Sequence, residues 1–470
     1  MFDKIKTFYG ISKPVPPLQC GPKERDRLYR RLRFQSFLAG TVGYSLYYVC
    51  RTTLNVVKKP IIDSQALDAQ QLGIISSALL FAYAAGKFVN GLLADHSNIK
   101  RFMATGLTVS FIANLCVGLL GLLSGGGVLS TTVLFVVFAV LWGINGWSQS
   151  MGAAPAIIAL SRWYPLKKRG TYYGFFSASH NLGEAISFVF VGLVVGLAGW
   201  KWGFVGSAVA GAMGVAVILL FLHDTPESKG LPPVEVLSGE AGNETEIARE
   251  SVGAAQKAAF RNPYIWILAL ASACMYVSRY AINGWGVIFL QEIKGFPLAT
   301  ATQIISVNAF LGIAGTVFSG WMSDKWFNGS RYSIAVVFGM LCSVSLGLFL
   351  YSGSGMFINI LAMILFGIAI GVLICFVGGL MAVDLVPRQA SGAALGIIGI
   401  ASYVGAGIQD IISGALLDKH KTVVDGITTH DYSVASVFWI AASVLSFLLV
   451  GVVWRKAAKN NRLKTANYWK

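Results

Sequence analysis

Long apolar stretches recur along the chain with short polar interruptions between them. Residues 132–148, running on into Ala153–Leu160, and 331–353 and 434–454 are examples. Such stretches match the roughly 20 residues that a helix needs to cross a hydrocarbon core about 30 Å thick. They do not alternate apolar with polar positions, which excludes the strands of an outer-membrane barrel. The pattern predicts twelve spans, at 35–60, 70–94, 101–124, 131–160, 169–197, 201–222, 263–290, 298–323, 331–353, 356–383, 389–417 and 432–454. Residues 224–262 break the pattern with Pro226, Pro232-Pro233 and a Gly/Glu-rich run, and read as a linker. The expected fold class is all-α: a membrane protein of twelve transmembrane helices in two six-helix halves. Its parts are a basic N-terminal segment (1–34), a first half (35–223), a cytoplasmic linker (224–262), a second half (263–454) and a basic tail (455–470).

Composition agrees with that pattern. Hydrophobic residues make up 55% of the 470 and charged residues 12%, about half the charged share of an average soluble chain. The net charge of +16 raises the question of nucleic acid, but the position of the charges answers it. Nine Lys/Arg precede residue 35 and six follow residue 454, flanking spans. The loops after spans 2, 4, 8 and 10 carry Lys100-Arg101, Arg162 with Lys167-Lys168-Arg169, Lys325 with Arg331, and Arg388, while those after spans 3 and 9 carry no basic residue. This bias puts both termini in the cytoplasm and leaves anionic membrane lipid, not nucleic acid, as the partner of the basic tails. No apolar signal precedes the first span, which is expected to stay in the protein. The six cysteines show neither disulfide nor metal-ligand spacing. Asn243-Glu-Thr and Asn328-Gly-Ser match a glycosylation pattern on the expected cytoplasmic side and receive no role.

The two halves repeat. Gly91-Leu-Leu-Ala-Asp95 returns as Gly320-Trp-Met-Ser-Asp324, Pro165…Gly170 as Pro387…Gly392, and Arg51 as Arg279, at separations of 229, 222 and 228 positions. A parallel duplication of this kind, with Gly-x-x-x-Asp after spans 2 and 8, resembles the major facilitator arrangement, in which substrate binds near mid-membrane.

Ionised side chains are costly inside a bilayer, so each one raises a functional hypothesis. Arg51, Lys87, Glu184, Arg279 and Asp410 stand inside predicted spans, with His180 as a further titratable group. Arg51 and Arg279 lie at equivalent depth in the first span of each half, with no carboxylate at matching positions. Arginine presents a planar fork suited to phosphate oxygens. Tyr44 and Tyr48 share the Arg51 side of its helix at i−7 and i−3. For Lys87 a pairing with Asp95 stays open, and for His180 simple packing. Glu184 and Asp410 read equally as proton carriers, as partners of a buried cation, as ligands of sugar hydroxyls or as structural pairs.

At these residues the chain is similar to a known family. Gly43-Tyr44-Ser-Leu-Tyr47-Tyr48-Val-Cys-Arg51, Gly86-Lys87-Phe88, Ser179-His180-Asn181-Leu-Gly183 and Tyr276-Val-Ser-Arg279-Tyr-Ala-Ile-Asn283-Gly-Trp285 resemble the organophosphate:phosphate antiporters, over nearly the whole chain. Residues 262–285 look most like the hexose-phosphate transporter and sensor branch. The resemblance implies Arg51 and Arg279 as phosphate ligands, His180 moving with substrate, and Lys87 and the tyrosines lining the lower cavity. Two departures bear on the organic part of the substrate. Thr52 stands where the family has a lysine, and Leu395 and Ile398 stand where some hexose-phosphate transporters have an acid and a lysine.

The expected function is therefore transport, not catalysis: exchange of a hexose phosphate such as glucose 6-phosphate for inorganic phosphate, by a monomer in a bacterial inner membrane. No cofactor is expected, and no G-x-x-x-x-G-K-[ST] phosphate loop is present. A hexose-phosphate sensor, a glycerol 3-phosphate antiporter and a proton-coupled transporter are the alternatives.

Overall fold

The computed structural model describes residues 7–124, 130–238, 257, 259–326, 331–386, 391–424 and 427–468. Asn243, Asn328, Pro387 and Arg388 lie outside them, as do the side chains of Lys167, Lys168, Arg169 and Asp324. Twelve long helices are α1 (Pro22–Asp63), α2 (Ala69–Asp95), α3 (Ile99–Ser124), α4 (Thr131–Trp163), α5 (Leu166–Ala198), α6 (Trp200–Phe221), α7 (Pro263–Glu292), α8 (Leu298–Trp326), α9 (Arg331–Tyr351), α10 (Met356–Cys375), α11 (Ser391–Lys419) and α12 (Ser433–Tyr468). Eleven described helices are long and apolar enough to cross a membrane. The exception is α1, whose 42 residues include Tyr44, Tyr47, Tyr48, Arg51 and Lys58. Its polar middle is a first sign that it lines a site rather than facing lipid alone.

Local sequence sets several helix starts. The Asp68 carboxylate accepts from Gln71 N at 2.7 Å while the Gln71 amide oxygen accepts from Asp68 N at 3.1 Å, a reciprocal cap that opens α2. Asn262 caps α7 by accepting from Tyr264 N at 3.0 Å, with Pro263 in the first turn. A π-turn at Phe376–Leu380 carries α10 into the short helix Met381–Asp384.

The molecule divides into two compact units. Unit 1 comprises Met1–Val57 and Phe81–Ile247, and unit 2 comprises Lys58–Leu80 and Ala248–Lys470. In unit 1, α1 is held by side-chain bonds to backbone carbonyls, both its own and one of α3. Asn114 and Asn145 amides donate to Cys50 O at 2.9 and 3.1 Å, Gln149 donates to Tyr47 O at 3.0 Å, and the Tyr47 hydroxyl donates to Met103 O at 2.5 Å. Such bonds join helices where lipid offers no hydrophobic driving force. On another side of α1, a Cβ at Gly183 would collide with the Ser45 backbone, so α5 can sit against α1 only through glycine.

The basic N-terminal segment is packed against the rest of unit 1. Asn98 N donates to Tyr9 O at 2.6 Å, Val15 N to Glu227 O at 3.1 Å, and Leu18 N to Gly230 O at 3.1 Å. Asp224 accepts from Ser12 N and Ile99 N at 2.7 and 3.0 Å and pairs with Arg162. The start of the expected linker is thereby folded onto unit 1.

In unit 2, α7 is buried over nearly its whole middle, from Cys274 to Leu290. Between α11 and α12 stands an antiparallel hairpin not expected from the sequence, β1 (Lys421–Val424) with β2 (Ile427–His430), in register Lys421 with His430 and Val424 with Ile427.

Candidate functional site

Each unit buries one arginine of the predicted pair beneath tyrosines. In unit 1, Arg51 is 5% exposed. Its guanidinium lies 4.3 Å from the centre of the Tyr83 ring and 5.4 Å from that of Tyr48, within the range of cation–π attraction. Beyond Tyr48 the aromatic surface continues to the His180 ring at 6.0 Å, and through Tyr44 at 5.6 Å to Phe176, a further 5.3 Å on.

Helical spacing explains the grouping. Tyr44, Tyr48 and Arg51 project from one face of α1, while Tyr47 turns away into the core. Phe176, His180 and Glu184 follow one another at intervals of four on α5, Glu184 being buried and His180 partly so. Helix α2 contributes Tyr83 and, one turn on, the exposed Lys87. Hydroxyls beside Arg51 fix its helix. Thr52 donates to Tyr48 O at 2.8 Å and to Ser187 on α5, and Thr53 donates to Ser207 on α6 at 2.7 Å. The departure from the family at Thr52 thus exchanges a charge for an α1–α5 contact.

In unit 2, Arg279 is also 5% exposed. Its guanidinium lies 5.8 Å from the Tyr276 ring and 5.9 Å from the Tyr280 ring, which stack on each other at 6.0 Å. Tyr403 of α11 meets Tyr276 edge-on at 5.3 Å. One turn along α7, Asn283 is buried and accepts from Asn308 of α8 at 3.4 Å.

Sequence reasoning misses Tyr83, Phe176, Tyr276, Tyr280 and Tyr403. A signal exists for Tyr276, because Tyr48 and Arg51 both return 228 positions later as Tyr276 and Arg279. Tyr-x-x-Arg is repeated, not arginine alone.

Asp410 has a different setting. It is buried, accepts from Trp285 Nε1 at 2.9 Å, and lies 3.8 Å from Lys58 Nζ, which sits 3.6 Å from the Trp285 ring centre. Lys58 belongs to unit 2 although it stands on α1. Sequence reasoning passes over it as the end of the first span. Among the described residues no cluster of His, Cys, Asp and Glu has the makings of a metal site.

The comparisons with known proteins bear on this arrangement. Residues 40–409 match the sequence profile of the Major Facilitator Superfamily. The chain belongs to that superfamily. It is 31% identical to a protein named probable hexose phosphate transport protein from Chlamydia pneumoniae, over 93% of this chain and 94% of the relative. It is 28% identical to a glycerol-3-phosphate transporter of Bacillus subtilis (strain 168), over 95% and 98%. It is 30% identical to the membrane sensor protein UhpC of Escherichia coli (strain K12), over 92% and 95%. These relatives are those of the organophosphate:phosphate antiporter branch.

Two solved structures share the fold. A bacterial homolog to the human lysosomal transporter Spinster matches with a TM-score of 0.67 at 18% identity, over 90% of this chain and 96% of that one. A D-xylose–proton symporter matches with a TM-score of 0.66 at 14% identity, over 89% and 97%. This member of the superfamily is an integral, multi-pass membrane protein of a transporter family and not an enzyme.

Proposed function

We propose that this superfamily member exchanges a hexose phosphate, glucose 6-phosphate foremost, for inorganic phosphate by alternating access. Arg51 and Arg279 would take the phosphate, and Tyr44, Tyr48, Lys87, His180 and Glu184 would receive the rest of the ester. The observation that carries this reading is the pair of buried arginines at equivalent places in the repeat, each beneath a tyrosine three residues before it. A phosphate monoester brings about −1.5 to −2 charges near pH 7, enough to balance two guanidinium groups. The names of the relatives support a phosphate ester as the organic substrate. The basic bias of the tails and alternate loops supports both termini in the cytoplasm, in a bacterial inner membrane. The protein is taken to work as a monomer.

The test is counterflow in proteoliposomes loaded with phosphate, against a panel of phosphate esters outside. Exchange preferring hexose phosphates supports the proposal, and exchange preferring glycerol 3-phosphate would move it to another ester. A second reading, a membrane sensor of hexose phosphate, draws on the similarity to UhpC. Under it the purified protein would bind ester and show no exchange.

A further inference from the structure

Charged groups at the far end of α1 from Pro22 are not used by the phosphate-binding proposal. Lys58 and Asp410 have side chains 0% and 3% exposed, with Nζ 3.8 Å from Oδ1. That separation is too long for a hydrogen bond, and among the described residues Lys58 Nζ has no hydrogen-bond partner. The lysine rests instead on the face of Trp285, whose own N–H donates to the same carboxylate oxygen. Gly284 makes room for the pair: a Cβ there would lie 3.2 Å from Asp410 Oδ1 and 3.6 Å from Lys58 Nζ.

One residue on, a second tier begins. Lys59 bridges Asp63 at 2.9 Å and the buried Glu292 at 3.7 Å. Glu292 also faces His430 Nδ1 at 3.0 Å and accepts from the Tyr432 hydroxyl at 3.2 Å. The unexpected hairpin supplies His430 to this tier. The start of α2 completes the seam. A Cβ at Gly73 would strike the Asp410 carbonyl oxygen and lie 3.1 Å from Gly414 Cα, and one at Gly414 would lie 2.6 Å from Ala69 O. Residues 58–80, which belong to the first repeat, are thus seated on α7 and α11 of the second by two charged tiers and a backbone-to-backbone contact.

We propose that Lys58–Asp410 and Lys59–Glu292–His430 form a two-tier electrostatic latch that fastens residues 58–80 to α7 and α11 and opens during the transport cycle. The argument is one of separability. A buried ion pair adds little net stability compared with an apolar contact of equal size, because both charges regain water on parting. Removing one partner alone leaves an uncompensated buried charge. A permanent seam is better served by apolar side chains, while a seam that must part and re-form in register is served by charges. Alternating access requires first-repeat segments to part from second-repeat helices. The latch does not depend on which ester is carried.

The experiment is hydrogen–deuterium exchange of the full-length protein in lipid nanodiscs, with phosphate exchange measured separately in vesicles. Lys58→Met and Asp410→Asn should each speed amide exchange across residues 58–80 by about tenfold or more, since each strands a charge or its donor. Peptides covering Tyr276–Asn283 should be unchanged. The apolar pair Lys58→Met with Asp410→Leu should bring exchange back to or below the parent and slow turnover while leaving phosphate affinity intact. Lys59→Gln, at the partly solvated tier, should loosen the same peptides by a smaller factor. The latch is overturned if the single variants exchange like the parent, or if the apolar pair behaves like the singles. Should the singles fail to reach the membrane, the swapped pair Lys58→Asp with Asp410→Lys decides: recovery of protection over 58–80 supports the latch, and failure to recover overturns it. A parent protein that carries no phosphate would defeat the proposed function yet leave the exchange experiment readable.

Discussion

A guanidinium buried under a tyrosine ring is held for geometry as much as for charge, and among the described residues Arg51 and Arg279 are the buried arginines, whereas Arg33, which also lies over two tyrosine rings, is only half-buried. Substituting either by lysine keeps the charge but replaces a flat two-pronged donor with a point-like ammonium. Arg51→Lys and Arg279→Lys should therefore each weaken phosphate binding by roughly 2–5 kcal/mol, as truncation of a buried charge pair does. The measurement is phosphate affinity of the folded variants in detergent, beside exchange in vesicles. Parent-like binding by either lysine variant removes that arginine from the site. The neighbours should act more gently. His180→Ala and Lys87→Ala are expected to shift ester affinity and, for His180, its pH profile, because histidine is the side-chain type that most often changes charge in the physiological pH range. Unchanged affinity and pH profile in both variants would take these residues out of the cavity. The arginines were legible in the sequence because a charge in an apolar run is conspicuous and its repeat fixes its depth. The tyrosines framing them were not, apart from Tyr44 and Tyr48. An aromatic residue in a span is ordinary, and only folding shows that Tyr83 comes to Arg51, and Tyr403 to the tyrosines beside Arg279, from other helices.

At the scale of elements, apolar run length predicted the long helices because a span's length is set by the bilayer and not by partners. What it could not predict was contact made by polar chemistry. The segment before α1 reads only as a basic segment, and nothing in that pattern foretells that its backbone bonds to residues 98, 227 and 230. The hairpin between α11 and α12 does have a sequence signal, since Asp425-Gly426 between Thr422-Val-Val and Ile427-Thr-Thr is a dipeptide typical of tight two-residue turns. Lys58 was hidden for the opposite reason to Arg51: a lysine near a span's end is expected to snorkel, and here it is buried. Close approach of α5 to α1 yields its own prediction. Gly183→Leu should force α5 away from the Ser45 backbone and destabilise the protein by roughly 1–3 kcal/mol, the usual cost of overpacking. Monodispersity after a heating series would read this directly. A parent-like melting point would show that α1 and α5 do not need that approach.

For the whole molecule the exchange reading comes down to charge. On the exchange reading an empty carrier would have to complete its cycle with two guanidinium groups withdrawn from water and no anion bound, and burying charge is expensive. Under the proposed exchange, inorganic phosphate or an ester would supply that anion, so that the loaded carrier could change state and the empty one would be held back. Uptake of a labelled ester should then require phosphate or ester inside the vesicle, scale with it, and stop when it is absent. Proton-coupled transport predicts another result, because a carboxylate such as Glu184 could balance the arginines in the empty carrier and be neutralised by a proton during return. The two schemes part in one measurement: phosphate-free vesicles with an imposed proton gradient and labelled glucose 6-phosphate outside. No accumulation under the gradient, followed by uptake once phosphate is loaded, is the outcome expected here. Accumulation under the gradient alone would mean that the arginines are balanced from within the protein. The anion would then be cargo rather than the counter-charge that lets the carrier turn over.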